Sequence, residues 1–223
     1  MDKELFRQAL IKFGSGLLIT GLLLFLPAGT LRYPQAWLLL AILFIPMFGA
    51  GLVLMAKNPA LLRRRLQAKE EEREQKTVIA LSALMFTAAF VMAGLSFRWG
   101  WLMLPRWVSV AAAVVFLLAY ALYGEVLREN EYLSRTIEVQ EGQRVVDTGL
   151  YGVVRHPMYA ATLLLFLAMP LVLGSVIAFV ILLSYIPLIA KRIRNEEQVL
   201  ERGLKGYREY RRRVKYKVIP FIW

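Results

Sequence analysis

The 223-residue chain is 58% hydrophobic, carries a net charge of +12, and has one histidine and no cysteine. Long runs almost free of charge at this composition exclude an ordinary soluble domain and point to a membrane protein. The absence of cysteine excludes disulfides, thiolate zinc sites and cysteine nucleophiles, and a lone histidine argues against a histidine-based metal centre, so no metal is expected. The basic residues lie beside apolar runs. Anionic lipid headgroups therefore account for the charge, membrane lipids are expected partners, and nucleic acid is not.

Asp2, Lys3, Glu4, Arg7 and Lys12 precede the first apolar run, 13–26, with no small-residue cleavage pattern after it. It is read as a retained signal anchor, lengthened to about 18 residues if residues 9–12 join it and Lys12 snorkels. Runs 34–56, 77–97 and 107–127 each have the roughly 20 residues that a helix needs to cross a bilayer. Gly14, Gly16, Gly21, Gly49 and Gly51 in the first two runs are expected to permit close helix packing. Between the second and third runs, Asn58-Pro59 predicts a capped helix start, and the following charged segment reads as an interfacial amphipathic helix or as a lid over a cytoplasmic site. There Leu61, Leu62 and Leu66 face lipid or protein while Arg63, Arg64 and Arg65 meet headgroups, and Glu70, Glu71 and Glu72 offer helix-spaced partners to nearby bases. Trp37, Trp99, Trp101 and Trp107 fall near predicted outer span ends, where an aromatic belt would put them.

After the fourth run comes a polar connection long enough to be functional. It holds Glu125, Arg128, Glu129, Asn130 and Glu131, then a weakly extended pattern over 135–146 about the Glu141-Gly142 turn. Asp147-Thr148-Gly149 is a turn signal. Then Tyr151, Arg155, His156, Pro157, Met158 and Tyr159 lead into apolar residues 158–190, long enough for two helices, with Pro170 and Gly174 marking a hairpin turn. Pro157 keeps His156 out of the α region and opens a helix whose free N–H groups suit an anionic group. Taken alone, His156 reads as a capping or interfacial residue. A hairpin, however, returns the chain to the same level, opposite Arg192 and Glu196, which are four apart on one helix face. Beyond them Tyr207, Tyr210 and Tyr216 alternate with Arg211, Arg212, Arg213 and Lys215, which reads as a cationic segment with aromatic anchors at the membrane interface.

The predicted fold is therefore an all-α integral membrane protein: four transmembrane helices plus a C-terminal helical hairpin, five or six membrane segments in all. It is a single membrane domain, 1–223, with transmembrane helices in 1–127 (interfacial loop 57–76) and a catalytic, cofactor-binding half in 128–223. If both termini and the loops after the second and fourth runs share a side, that side holds every Lys and Arg except Arg32, Arg98 and Arg106. The N- and C-termini are accordingly expected in the cytoplasm.

Three motifs resemble the isoprenylcysteine carboxyl methyltransferases and their bacterial relatives. They are Gly149-Leu150-Tyr151 with Arg155-His156-Pro157-Met158-Tyr159, then Arg192-Ile193-Arg194-Asn195-Glu196-Glu197, then Tyr207-Arg208-Glu209-Tyr210 with Arg212, Arg213, Val214 and a closing Pro220-Phe221-Ile222. The resemblance covers roughly residues 136–223. It implies a membrane enzyme that moves a methyl group from S-adenosyl-L-methionine to the carboxylate of a prenyl- or lipid-tailed substrate, with its site facing the cytosol, and in the cytoplasmic (inner) membrane if the cell is bacterial. It implies cofactor contacts at Tyr151, His156, Pro157, Met158, Tyr159 and Glu196, and more loosely at Gln143, Arg144, Val145 and Val146. It ties Arg192 to the substrate, as the catalytic residue. His156 becomes a binding and positioning residue, not a base. The chain departs from the family at Ala161, where Gly is common, and at Thr136, where some members have Gln.

Three other readings compete. Sterol-type reductases, which bind NADPH, resemble the same Arg-His-Pro-x-Tyr start and the Tyr216–Pro220 tail, but usually carry Asn where this chain has Met158 and Asp-Glu where it has Glu196-Glu197. Phospholipid N-methyltransferases share the cofactor site and act on an amine. A non-enzymatic membrane scaffold would use the polar motifs as interface anchors and bind neither cofactor.

Overall fold

The structure is a computed structural model that describes residues 3–66, 73–134 and 137–223. The Glu70–Glu72 run, Asp2 and Thr136 lie outside these residues. Nine α-helices occur in the described residues: α1 (Lys3–Ala28), α2 (Pro34–Lys57), α3 (Pro59–Leu66), α4 (Arg73–Trp99), α5 (Arg106–Glu129), α6 (Pro157–Val172), α7 (Val176–Leu182), α8 (Tyr185–Gly203) and α9 (Tyr207–Arg213). A 3₁₀ turn occupies Gly149–Gly152. The described residues contain no strand, only an isolated bridge between Met103 and Ser175. The chain is thus an all-helical membrane protein with five segments long and apolar enough to cross a bilayer: Lys3–Ala28, Pro34–Lys57, Thr77–Trp99, Arg106–Glu129 and Val176–Gly203.

Prolines set several helix starts. Pro34, Pro59 and Pro157 each take the first helical position, where a missing N–H costs nothing. Asn58 caps α3 as expected, its Oδ1 accepting the Leu61 N–H at 3.0 Å. The hairpin turn differs in detail from expectation. Pro170 stays inside α6, in its last turn, and the reversal falls at Gly174, whose φ of +74° a side chain would disfavour. Ser175 then caps α7 by accepting the Ala178 N–H at 3.2 Å. The returning limb is itself broken before α8. Pro187 has no N–H to give the Leu183 carbonyl, and Ile186 bonds there instead at 3.1 Å.

The main core runs between α1, α2, α4, α5 and the hairpin through Leu24, Leu39, Phe116, Val172, Leu182 and Ile193, all fully buried. Tyr33 closes its far end. Its hydroxyl donates to the Leu173 carbonyl at 2.7 Å, satisfying an acceptor freed by the end of α6, and its ring stacks on Phe97. The expected close packing at glycines of the first two runs is met at Gly16, where a Cβ would lie 3.6 Å from the Phe44 ring of α2. A Cβ on Gly14, Gly49 or Gly51 would touch nothing, whereas one on Gly94 of α4 would lie 2.5 Å from the Leu24 carbonyl oxygen of α1. Trp37, Trp99, Trp101 and Trp107 are exposed on the helical surface.

Residues 137–146 form a loop where an extended pattern was expected, because no partner strand reaches them. Side chains satisfy the backbone instead: Gln143 Oε1 accepts the Gln140 N–H at 2.8 Å about a turn at Gly142, φ +71°. The loop is wedged between two small cores. Leu61, Val126, Leu133 and Tyr151 tie it to α3 and α5, and Val139 and Val145 pack on Leu204, Tyr207, Tyr210 and Val214 of the tail.

A cleft at the open end of the hairpin

The end of α5 shapes the first wall. Glu129 accepts the Leu150 N–H on both carboxylate oxygens, at 2.9 and 3.2 Å. Gly149 (φ +55°) lies against that carboxylate, and any Cβ there would collide with it. The turn buries Tyr151, whose hydroxyl accepts from Asn130 Nδ2 at 2.9 Å and whose carbonyl accepts from the Tyr210 hydroxyl at 2.8 Å.

The second wall is the start of α6. His156 lies outside the α region (φ −129°, ψ 62°), as a residue before proline does, so its N–H is free of the helix and donates to the Lys217 carbonyl at 2.8 Å. The Arg155 N–H donates to Tyr216 at 2.9 Å. Thus the tail runs alongside the motif as a third layer. The Arg155 guanidinium is buried and held by three hydrogen bonds. Nε donates to Glu197 Oε1 at 2.8 Å, and one terminal nitrogen donates to the Val214 and Lys215 carbonyls at 2.7 and 2.8 Å. His156 does not cap α6 with its side chain. Its ring sits between two carboxylates, Nε2 3.2 Å from Glu197 Oε1 and Nδ1 3.7 Å from Glu196 Oε1. The α6 start offers an anion fewer donors than expected, since the N–H groups of Tyr159 and Ala160 already donate to the His156 carbonyl.

Successive residues on a helix point about 100° apart, so Glu196 and Glu197 of α8 do different things. The Glu197 side chain is 6% exposed and anchors the motif; the Glu196 side chain is 24% exposed and faces the cleft. Arg192, one turn before Glu196, donates through Nε to the Tyr159 hydroxyl at 3.1 Å, and that hydroxyl donates to Glu196 Oε2. These walls line a cleft of about 100 Å³ that is partly open to solvent. Burial pushes the Tyr151, Tyr207 and Tyr210 phenols up, so all three stay protonated near neutral pH. The buried Tyr207 hydroxyl, which lines the cleft, has no partner among the described residues.

Residues 110–202 match the family model described as the isoprenylcysteine carboxyl methyltransferase family. That segment, less than half of the chain, carries the family's sequence pattern. The match begins earlier than the resemblance in the motifs and stops before the tail. Over the whole fold the chain is similar to the structure of a eukaryotic intramembrane Ras methyltransferase, isoprenylcysteine carboxyl methyltransferase. The TM-score is 0.59 at 18% identity, over 92% of this chain and 74% of that one. It is also similar to the Delta(14)-sterol reductase of Mus musculus, 32% identical over 91 residues, which is 40% of this chain. The match spans only about a fifth, 22%, of that reductase.

Of the residues expected at a family site, Gln143, Arg144, Val145, Val146, Tyr151, His156, Met158, Tyr159, Arg192 and Glu196 all line the one cleft. Pro157 does not; it is buried behind, setting the helix start. Sequence reasoning missed Glu197, Asn130 and Tyr207. Glu197 had a legible signal: it shares a helix face with the buried Ile189 and Ile193, and a carboxylate on an apolar face needs a cationic partner. Tyr207 and Tyr210, expected as interface anchors, are buried against the loop, while Ile219, Phe221 and Ile222 are exposed apolar residues of the tail. No described side chain of α3 lines the cleft. The helix instead braces its wall, with Leu61 packed in the Tyr151 cluster and Arg65 donating to the Ser134 carbonyl at 3.1 Å.

Proposed function

We propose that this chain is a membrane-embedded methyltransferase that uses S-adenosyl-L-methionine to methylate the carboxylate of a lipophilic, prenyl- or lipid-tailed substrate. The observation that carries this is the convergence of His156, Tyr159, Arg192 and Glu196 on one cleft, inside the segment that matches the family model. The cleft fits the cofactor. Its walls present a carboxylate, phenols and one buried hydroxyl still without a partner among the described residues, the donors and acceptors that a nucleoside with an amino-acid tail needs. When bound, S-adenosylmethionine supplies an electrophilic methyl group on a sulfonium sulfur.

A carboxylate is ionised at neutral pH and attacks without a general base, so the residues here bind and place. Arg192 takes the substrate carboxylate through its guanidinium fork. Glu196 takes a hydroxyl or ammonium of the cofactor in a charge-assisted hydrogen bond. Tyr159, bonded to both, keeps the two in register. Tyr151 and Tyr207 offer rings and protonated hydroxyls, His156 with Met158 forms the floor, and Gln143, Arg144, Val145 and Val146 form the facing wall. The cofactor enters from the cytosol and the lipid-tailed acceptor from between helices. The cleft and both termini lie on the cytoplasmic side, of the inner membrane in a bacterial cell.

The stretch shared with the sterol reductase favours a second reading, in which the same cleft takes NADPH. An amine acceptor is the nearer variant. Methyl-tritiated S-adenosylmethionine offered with a farnesylated cysteine, or with phosphatidylethanolamine, separates the acceptors. Base-labile methyl ester on the farnesylated cysteine is expected. Label found only as base-stable N-methyl would contradict a carboxylate acceptor.

A further inference from the structure

We infer that Glu129 and Asn130, in and just past the last turn of α5, are positioning residues that hold the Gly149–Gly152 turn and aim the Tyr151 hydroxyl proton into the cleft. The turn has one conformation open to it. Glu129 takes the Leu150 N–H on both oxygens, and Gly149 is the residue that leaves room for that carboxylate. The polarity of Tyr151 follows from the next residue. Asn130 Oδ1 accepts the Tyr132 N–H at 3.0 Å, and a backbone N–H can only donate, so the amide NH2 must be the end that faces Tyr151. A phenol oxygen that receives an N–H at 2.9 Å keeps its own proton for another acceptor. Tyr151 lines the cleft, and the Tyr210 hydroxyl pins its carbonyl at 2.8 Å, so the ring is held from both sides. The group that takes this proton is an acceptor oxygen or nitrogen of the bound ligand. In this the inference rests on the reading of the cleft as a cofactor site.

Asn130→Asp tests the polarity. It keeps the acceptor for Tyr132 but replaces the NH2 with an oxygen that draws the Tyr151 proton away from the cleft. In the full-length protein, the affinity for S-adenosylhomocysteine is expected to fall about fivefold, the effect of one neutral hydrogen bond. Tyr151→Phe should match it, and the double variant should be little worse than either. Independent, additive losses would overturn the assignment. A second readout needs no ligand: hydrogen exchange over 149–152 should speed up in Glu129→Ala. Gly149→Ala displaces the same carboxylate, so adding Glu129→Ala to it should change exchange no further. Unchanged exchange in Glu129→Ala overturns the role of Glu129, whatever binds. A wild-type protein that ignores S-adenosylhomocysteine, with exchange still responding, overturns the cofactor reading instead and supports the holding of the turn.

Discussion

At Glu197 a single buried carboxylate oxygen receives the Arg155 guanidinium at 2.8 Å and lies 3.2 Å from the His156 ring, with Lys217 Nζ 3.9 Å from its other oxygen. Removing one partner from a buried charged pair strands the others without water, typically costing about 3–5 kcal/mol. Glu197→Ala is therefore expected to lower the unfolding midpoint sharply, and a thermal melt that matches the wild type would contradict this. Glu196, partly exposed, should behave differently. Glu196→Ala should melt near the wild-type temperature yet lose S-adenosylhomocysteine binding. Arg192→Ala leaves the Tyr159 hydroxyl on Glu196, so it should spare cofactor affinity and remove turnover on a carboxylate acceptor. Equal loss of both in Arg192→Ala would refute that division. The two glutamates are neighbours in sequence and look equivalent there; the helical phase, set by the apolar Ile189 and Ile193, is what separates their work.

Among the elements, α1 and α4 approach each other closely at Gly94. Gly→Ala inside a helix ordinarily stabilises by roughly 0.5–1 kcal/mol. Here the new Cβ would press on the Leu24 carbonyl, which is backbone and cannot turn aside. Gly94→Ala is thus expected to destabilise by about 1–3 kcal/mol, as overpacking does, and a raised unfolding midpoint would show that the helices part freely. Helix existence was legible because apolar runs of bilayer length leave few alternatives, and helix starts were legible wherever a proline marks them. Gly14, Gly49 and Gly51 misled because composition says nothing about which face meets a neighbour. The 135–146 stretch misled for a related reason: β-branched residues favour a strand only where another strand is available, and here the loop packs on α3, α5 and the tail.

Across the whole molecule, the cleft is assembled from parts far apart in the chain: the end of α5, the start of α6, the middle of α8 and the tail. The hairpin accounts for the one long-range pairing that could be read from sequence, since antiparallel helices must bring Pro157 and Arg192 to one level. The loop wall and the tail could not be placed so, because their partners are backbone atoms: the carbonyls of Val214, Lys215, Tyr216 and Lys217 bonded to Arg155 and His156. Deleting residues 214–223 should therefore empty the site of binding while the helices stay folded, with helical circular dichroism kept and S-adenosylhomocysteine affinity lost. Retained affinity would mean that the tail is not part of the site. The central claim is that this cleft holds a methyl donor. Calorimetry of the detergent-purified protein against S-adenosylhomocysteine and against NADP tests it most directly: the account predicts binding of the first and not the second, and binding of the dinucleotide alone would contradict it.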